Sequence, residues 1–343
     1  MTQVSEVTEY ASAAHEAPKR SNLKKGVKFA ILLLKNSSFR KKLRKYTVMG
    51  PDEERWVRPP RAYELPEYRE GMKRCTSNEK YLRPTRWCNP REPLVIAMAN
   101  ELGAYELSDW EFADAAYWWV KTNLISEILP LDSMSATLRR GTGTCMHATS
   151  LWIALCRAAG IKARYKELRT MMNEAAMGLD ATQILDLDET EQATLQDLLN
   201  VPIKHALGEA CIDGQWVVAD PGHRVEHYAQ YGAPVLKLGE DAAGLVLTPI
   251  PGKIRRFESL PLRVGITMRL QTWLAPVAME RGNITLSAPL GKKIIKEAGG
   301  IEAYDRNARR RRDLYATDEI KERITRLTQD AKQKTVVEFR ENK

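Results

Sequence analysis

The sequence predicts an α+β domain in which one helix, carrying a cysteine in its first turn, packs on an antiparallel sheet, with helical N- and C-terminal extensions. Three observations carry this. A glycine-flexed loop, Gly141-Thr142-Gly143-Thr144, leads into Cys145 and then into apolar residues at Ala148, Leu151, Trp152, Leu155, Ala158 and Ala159. That is helical spacing, and Gly160 is the stop just past it. Two strand-like runs, 205–212 and 215–221, are separated only by Asp213-Gly214, among the strongest hairpin signals. At 43% hydrophobic and 28% charged over 343 residues, the chain has the composition of a soluble protein with a real core.

Charge and cysteines narrow the class. The five cysteines, Cys75, Cys88, Cys145, Cys156 and Cys211, are odd in number and dispersed, so no disulfide framework is expected and a reducing compartment is. No CxxC pair occurs, and neither a metal nor a cofactor is expected. The net charge is +9, yet residues 19–46 alone hold eleven Lys or Arg and no acid, leaving about −2 for the rest. Residues 1–23 read as disordered. The apolar run 29–34 is too short to span a bilayer and makes a poor signal peptide. Val27, Ile31, Leu34 and Leu43 can share one helical face opposite lysines. That suits an anionic membrane surface, or docking on the parent domain; nucleic acid is not expected, since no binding motif accompanies the charge. The protein is therefore placed in the cytoplasm, with a peripheral membrane location left open through residues 19–46.

In chain order, residues 51–92 are broken by prolines and read as an extended arm, with Trp56, Tyr68, Tyr81 and Trp87 available to pin it. The main domain is expected over 93–290. A short helix follows Pro93. Ser108 and Glu111 form a capping box for a helix with Phe112, Ala115, Ala116, Trp119, Val120 and Leu124 at core spacing, and Trp110, Trp118 and Trp119 read as core. The alternation from Ile161 to Glu167 is a strand. Residues 171–204 form an insertion whose 180–200 portion has six acids and no base, an acidic amphipathic helix. Runs at 235–238, 244–250 and 262–270 read as strands completing the sheet, although 267–281 also fits a helix broken at Pro276. Residues 291–343 are a charged helical extension in which the run 309–312 reads as a solvated face.

The candidate chemistry starts at Cys145. A thiol at a helix N-terminus meets the positive end of the backbone dipole, which favours the thiolate. The Asp213-Gly214 turn pairs Ile212 with Gln215 and carries the register back until His205 faces Gly222. Asp220 is then diagonal to His205 on the same face, roughly 7–8 Å away at the backbone, within reach of a carboxylate. It can fix the ring and its tautomer and leave the other nitrogen for a nucleophile. The expected site is a Cys145-His205-Asp220 triad.

These residues resemble the transglutaminase-like superfamily, the papain-related group of Cys-His-Asp proteins. The likeness rests on Gly143-x-Cys145 with Ala148-x-x-Leu151 and the run 154–164, on His205-Ala206-x-x-Glu209 with Gly214-x-Trp216, and on Asp220-Pro221. It covers about residues 95–230. By that resemblance Cys145 is the nucleophile, His205 the base and later the acid, and Asp220 the orienter. Leu207 and Gly208 depart from the usual pattern and are expected to remodel the cleft wall. The Cys-to-His separation of 60 is longer than usual, in keeping with the insertion. Arylamine acetyltransferases share the triad, but their arginine and double glycine before the cysteine are not matched.

Other groups have blander readings. His223 and His227 have i, i+4 spacing but no evident acidic third ligand. Glu209 can accept from the site or pair with an arginine. His147 reads as local structure or pocket lining. The resemblance implies a thiol enzyme acting on an amide or peptide bond of a peptide or protein through a thioester, a peptidase or amidase more than a cross-linking acyltransferase. The alternatives are protein-glutamine acyl transfer and a non-catalytic binding module on the same fold. Nothing in the sequence fixes an oligomeric state.

Overall fold

The computed structural model describes residues 60–127, 129–172, 188–191, 203–230, 232–240, 247–249, 254–266, 268–269 and 289–315, with 31 and 35–38. The basic segment 19–46, the acidic stretch 180–200, the helix expected in 267–281 and the C-terminal chain beyond 315 lie wholly or largely outside these residues.

Helix α1 spans Pro93–Glu101, its proline at a position where a missing N–H costs nothing. Helix α2, Asp109–Asn123, starts in the expected capping box: Glu111 N–H donates to Ser108 Oγ at 3.3 Å and Ser108 N–H donates to the Glu111 carboxylate at 3.0 Å. Its buried face is turned from the expected one. Phe112, Ala113, Ala116, Tyr117, Val120 and Lys121 are buried, whereas Trp118 and Trp119 are half-buried and Trp110 is 46% exposed. The tryptophans do not fill the core. A second layer, the chain from 220 to 238, packs along the Tyr117–Lys121 edge, and a local pattern cannot announce a partner a hundred residues away.

Strand β1, Ile125–Ser126, pairs in parallel with β2, Thr142–Gly143. Between them lies α3, Met134–Arg140, which ends on Gly141 in the left-handed region (φ 74°). Helix α4, Cys145–Ala158, is the centre of the molecule, buried at every position from His147 to Ala158. It ends as the sequence predicts, with Gly160 N–H donating to Arg157 O at 3.1 Å and Ile161 N–H to Cys156 O at 2.9 Å, the two bonds of a Schellman cap.

The sheet follows: β3 (Ala163–Met172), β4 (Ile203–Ile212), β5 (Gln215–Ala219), β6 (Leu247–Pro249) and β7 (Arg255–Phe257). The order is β5-β4-β3-β6 with β7 also on β3, and every pairing is antiparallel. The hairpin turn has the expected register, Ile212 opposite Gln215, with Asp213 and Gly214 both at positive φ (51° and 77°), as a type I′ turn requires. The expected strand runs are only partly right. Residues 247–249 join the sheet, but 235–238 lie outside the ladder, with Val235, Leu236 and Leu238 buried, and 262–266 are helical.

Helix α4 lies on β3 and β4. A Cβ on Gly208 would come within 2.5 Å of the Trp152 ring, so that glycine gives the helix room to seat. Leu207 is fully buried. Both residues serve the helix–sheet interface and the core rather than the wall of a cleft. The fully buried Arg157 donates to the carbonyls of Ala163 (2.8 Å), Arg83 (3.1 Å) and Glu258 (2.7 Å), tying α4 to the arm and to the end of β7. The arm is held further by Tyr63 Oη on Leu138 O (2.6 Å), by Cys75 N–H on Ala158 O (3.0 Å) and by burial of Trp87.

A second apolar cluster sits under the C-terminal helices. Helix α5 (Val225–Gln230) contributes Val225, Tyr228 and Ala229, which meet Val235 and Leu236 together with Tyr304 and Ala308 of the last helix. That part consists of α6 (Pro289–Glu297) and α7 (Ile301–Tyr315). Arg309, expected on a solvated face, donates instead to Asp305 (2.8 Å), Glu240 (2.8 Å) and Val235 O (2.6 Å). No helix among the described residues is long and apolar enough to cross a membrane.

Candidate active site

The three expected residues come together. Cys145 is the first residue of α4, capped by Thr144, and His205 lies near the start of β4. Asp220 follows β5 directly and is fully buried. His205 Nε2 is 3.0 Å from Asp220 Oδ2, and the Cys145 side chain is among the groups that act electrostatically on the same ring. With Nε2 engaged by the carboxylate, Nδ1 is the nitrogen left for sulfur.

The ladder that brings His205 and Asp220 close ends earlier than expected, at Gly208–Ala219 rather than His205–Gly222. Past Ala219 the backbone leaves the sheet, and the Asp220 carbonyl accepts from Lys121 Nζ at 2.9 Å and from Tyr117 Oη at 3.3 Å. The diagonal relation of the two side chains survives this departure.

Electrostatics bind the pair. Burial opposes an imidazolium at His205, but the Asp220 charge and hydrogen bond outweigh it, and the Cys145 contact adds to them, so the ring is raised to about 10. Burial likewise opposes the Asp220 carboxylate, yet His205 and His223 hold it well below the usual carboxylate range. Its other oxygen, Oδ1, accepts the Gly222 N–H at 3.2 Å, which aims Oδ2 at the ring. Gly222 also lies over the thiol side chain: a Cβ there would be 2.7 Å from Cys145 Cβ.

His147, at the third position of α4, is part of the helix cap. Its Nδ1 accepts the Thr144 N–H at 3.1 Å, which leaves the proton on Nε2, facing Pro130 O at 3.2 Å and Asp132 Oδ1 at 3.3 Å. Burial would raise Asp132, but His147 and Arg140 draw it down to about 2. Gly143 permits this arrangement, because a Cβ there would come within 2.5 Å of His147 Cβ.

The remaining candidates are placed as follows. Glu209 pairs with arginines, Arg164 at 2.7 Å and Arg256 at 3.1 Å. His223 does not pair with His227 to face a metal; its Nδ1 is 3.7 Å from Asp220 Oδ2 and its ring 5.4 Å from that of His205. Among the described residues, His205, Asp220 and His223 place donor atoms within 4.8 Å of one another, close enough for a cation. His205 Nε2 and Asp220 Oδ2 are themselves joined at 3.0 Å. Sequence reasoning missed Gly222 and Lys121, and considered His223 with His227 rather than beside Asp220. Only Lys121 left a signal, a lysine in phase with Phe112, Ala113, Ala116, Tyr117 and Val120.

Comparison with known proteins bears on this geometry. Residues 96–221 match the model of the transglutaminase-like superfamily, a segment that includes Cys145, His205 and Asp220. The solved structure of a "Putative Cysteine Protease from Cytophaga hutchinsonii" matches at 23% identity with a TM-score of 0.30, over 51% of each chain. This chain thus covers about half the length of that one, and so partial a likeness carries no argument. No curated protein matches the chain.

Proposed function

We propose that the transglutaminase-like core, residues 96–221, is a thiol enzyme that cleaves an amide or peptide bond through a thioester on Cys145. The observation that carries this reading is the state of His205. It is buried, hydrogen-bonded to Asp220 at 3.0 Å, and raised to about 10 with Cys145 among the groups that raise it, so at neutral pH it stands charged and carries the proton a departing amine needs.

In the proposed sequence the Cys145 sulfur attacks the amide carbonyl carbon and the carbonyl oxygen takes the negative charge. The N–H groups of Cys145 and Met146 stand in the first turn of α4, where helix geometry gives them no intrahelical partner. They are suited to receive that oxyanion. Collapse breaks the C–N bond, and the His205 proton goes to the departing amine, leaving a thioester and a neutral ring. Water then attacks the thioester while His205 takes its proton, and the acid leaves with thiolate and imidazolium restored. Asp220 holds ring and charge throughout. We favour water over an amine as acceptor because water needs no second binding site.

Two observations separate the readings. Intact-mass spectrometry with model peptide amides should detect an acyl adduct that Cys145→Ala abolishes; full turnover by that variant would reject the site. Added primary amine should leave most of the adduct hydrolysed, and predominant amide product would instead favour acyl transfer. A binding module on this fold predicts a Cys145 alkylated no faster than the other four cysteines. We further propose a reducing, cytoplasmic setting and, through residues 19–46, contact with anionic membranes. Liposome binding that survives deletion of that segment would reject the membrane contact.

A further inference from the structure

Lys121 is fully buried in the last turn of α2, and its three N–H bonds have three oxygens to meet. Nζ lies 2.9 Å from Asp220 O, 3.0 Å from Tyr117 Oη and 3.3 Å from Tyr228 Oη. It also lies 4.8 Å and 4.4 Å from the centroids of those two rings, a cation–π sandwich. Burying an ammonium is expensive even when it is well bonded, and stability alone is often served better by an apolar side chain of similar size. The cost here is borne next to the Asp220 peptide, at the point where the chain has left the β5 ladder and Asp220 has no strand partner to fix it.

We propose that Lys121 is a positioning residue: by holding the Asp220 carbonyl from beneath, it fixes the direction in which the Asp220 carboxylate meets His205. The proposal rests on the triad reading above. The arrangement is anchored from the far side, since Tyr304 Oη of α7 donates to Tyr228 O (3.2 Å) and to Ala233 O (2.8 Å), setting the helix that presents Tyr228. The charged and titratable groups facing Lys121 are Asp220, Glu240, Tyr117 and Tyr228; burial outweighs the two acids and draws the ammonium down to about 7. Charged or neutral, the amine keeps at least two donors, so the Asp220 carbonyl remains held across that range.

The test is a double-mutant cycle on the full chain, read as the iodoacetamide alkylation rate of Cys145 against pH. Lys121→Met should slow alkylation at neutral pH by about tenfold or more, the scale of a displaced catalytic group. It should also move the acid limb of the profile upward, because a loosened carboxylate holds the imidazolium less well and the thiolate loses its counter-ion. The melting temperature should not fall in step. On an Asp220→Asn background the same substitution should have little further effect, since the carboxylate through which it acts is gone. Equal losses on both backgrounds, or a profile that Asp220→Asn moves and Lys121→Met does not, would overturn the proposal and leave the triad standing. A wild-type Cys145 no faster than the other cysteines, or unaffected by Asp220→Asn, would remove both. Should Lys121→Met not fold, Tyr228→Phe removes one of the three acceptors. It should shift the limb the same way by less, and no shift would count against the proposal.

Discussion

Two buried histidines near Cys145 in chain or in space, His147 and His205, each meet an aspartate at a similar distance. His205 Nε2 is 3.0 Å from Asp220 and His147 Nε2 is 3.3 Å from Asp132, and both rings are buried. What separates them is the second nitrogen. In His147 it is taken by the Thr144 N–H at 3.1 Å, whereas in His205 it is the nitrogen that the proposed mechanism assigns to Cys145, whose side chain acts on that ring. The carboxylates differ too: Asp220 is fully buried and faces two histidines, while Asp132 is 34% exposed and shares its charge with Arg140 at 2.6 Å. A histidine next to an aspartate is therefore not yet a base. The pair becomes one only when the far side of the ring is left open to a reacting group.

That contrast can be broken most directly at His205. His205→Ala should cost a factor of about 10²–10⁴ in amide turnover, the usual worth of a positioned acid–base group, while His147→Ala should not; equal losses from the two would erase the distinction. Next in size is Gly222→Ala. Its new methyl would meet Cys145 Cβ at 2.7 Å, and a displaced nucleophile loses about 10²-fold. Circular dichroism should show the fold retained, and unchanged kinetics would mean that the thiol has room to move.

The third prediction is a pH limb. In the proposed mechanism amide cleavage needs the His205 proton, so turnover should hold through neutral and mildly alkaline pH and fall as the pH passes about 10. The linked stability has the same sign: a pKa raised from 6.5 contributes fully below 6.5 and is lost as the pH rises through about 10. Asp220→Asn should bring both limbs down toward the ordinary histidine range, and a limb that stays in place would deny Asp220 its role. Smallest is the cap. His147→Ala should lower stability by about 1 kcal/mol, the typical worth of a helix N-terminal bond, without moving the pH limb. A chemical-denaturation series and a rate profile on the same preparation check both halves of that statement.

The parts of the site legible in the sequence are those that short-range rules specify. The Asp213-Gly214 turn has one favoured geometry, and that geometry fixes which residues of two strands are neighbours. The start and stop of α4 are written in Thr144 and Gly160. The parts that were not legible depend on contacts across the chain. The phase of α2 is decided by contacts with residues such as Asp220 and Leu236, so the expected core positions omit the buried Tyr117 and Lys121 and include Trp119, which is only half-buried. The early end of the β4–β5 ladder has the same origin, since Asp220 exchanges a strand partner for Lys121 and Tyr117. The arginine at 309 was read by charge alone, and its partners Glu240 and Val235 come from a loop about 70 residues earlier.

Gly222 has a consequence outside this molecule. It contributes no side chain and no charge, yet the space it leaves empty is the space in which the Cys145 Cβ stands. In any relative built on this backbone, a side chain there would meet the Cβ that every residue but glycine carries at the position of Cys145, so it could appear only together with a shift of one of the two segments.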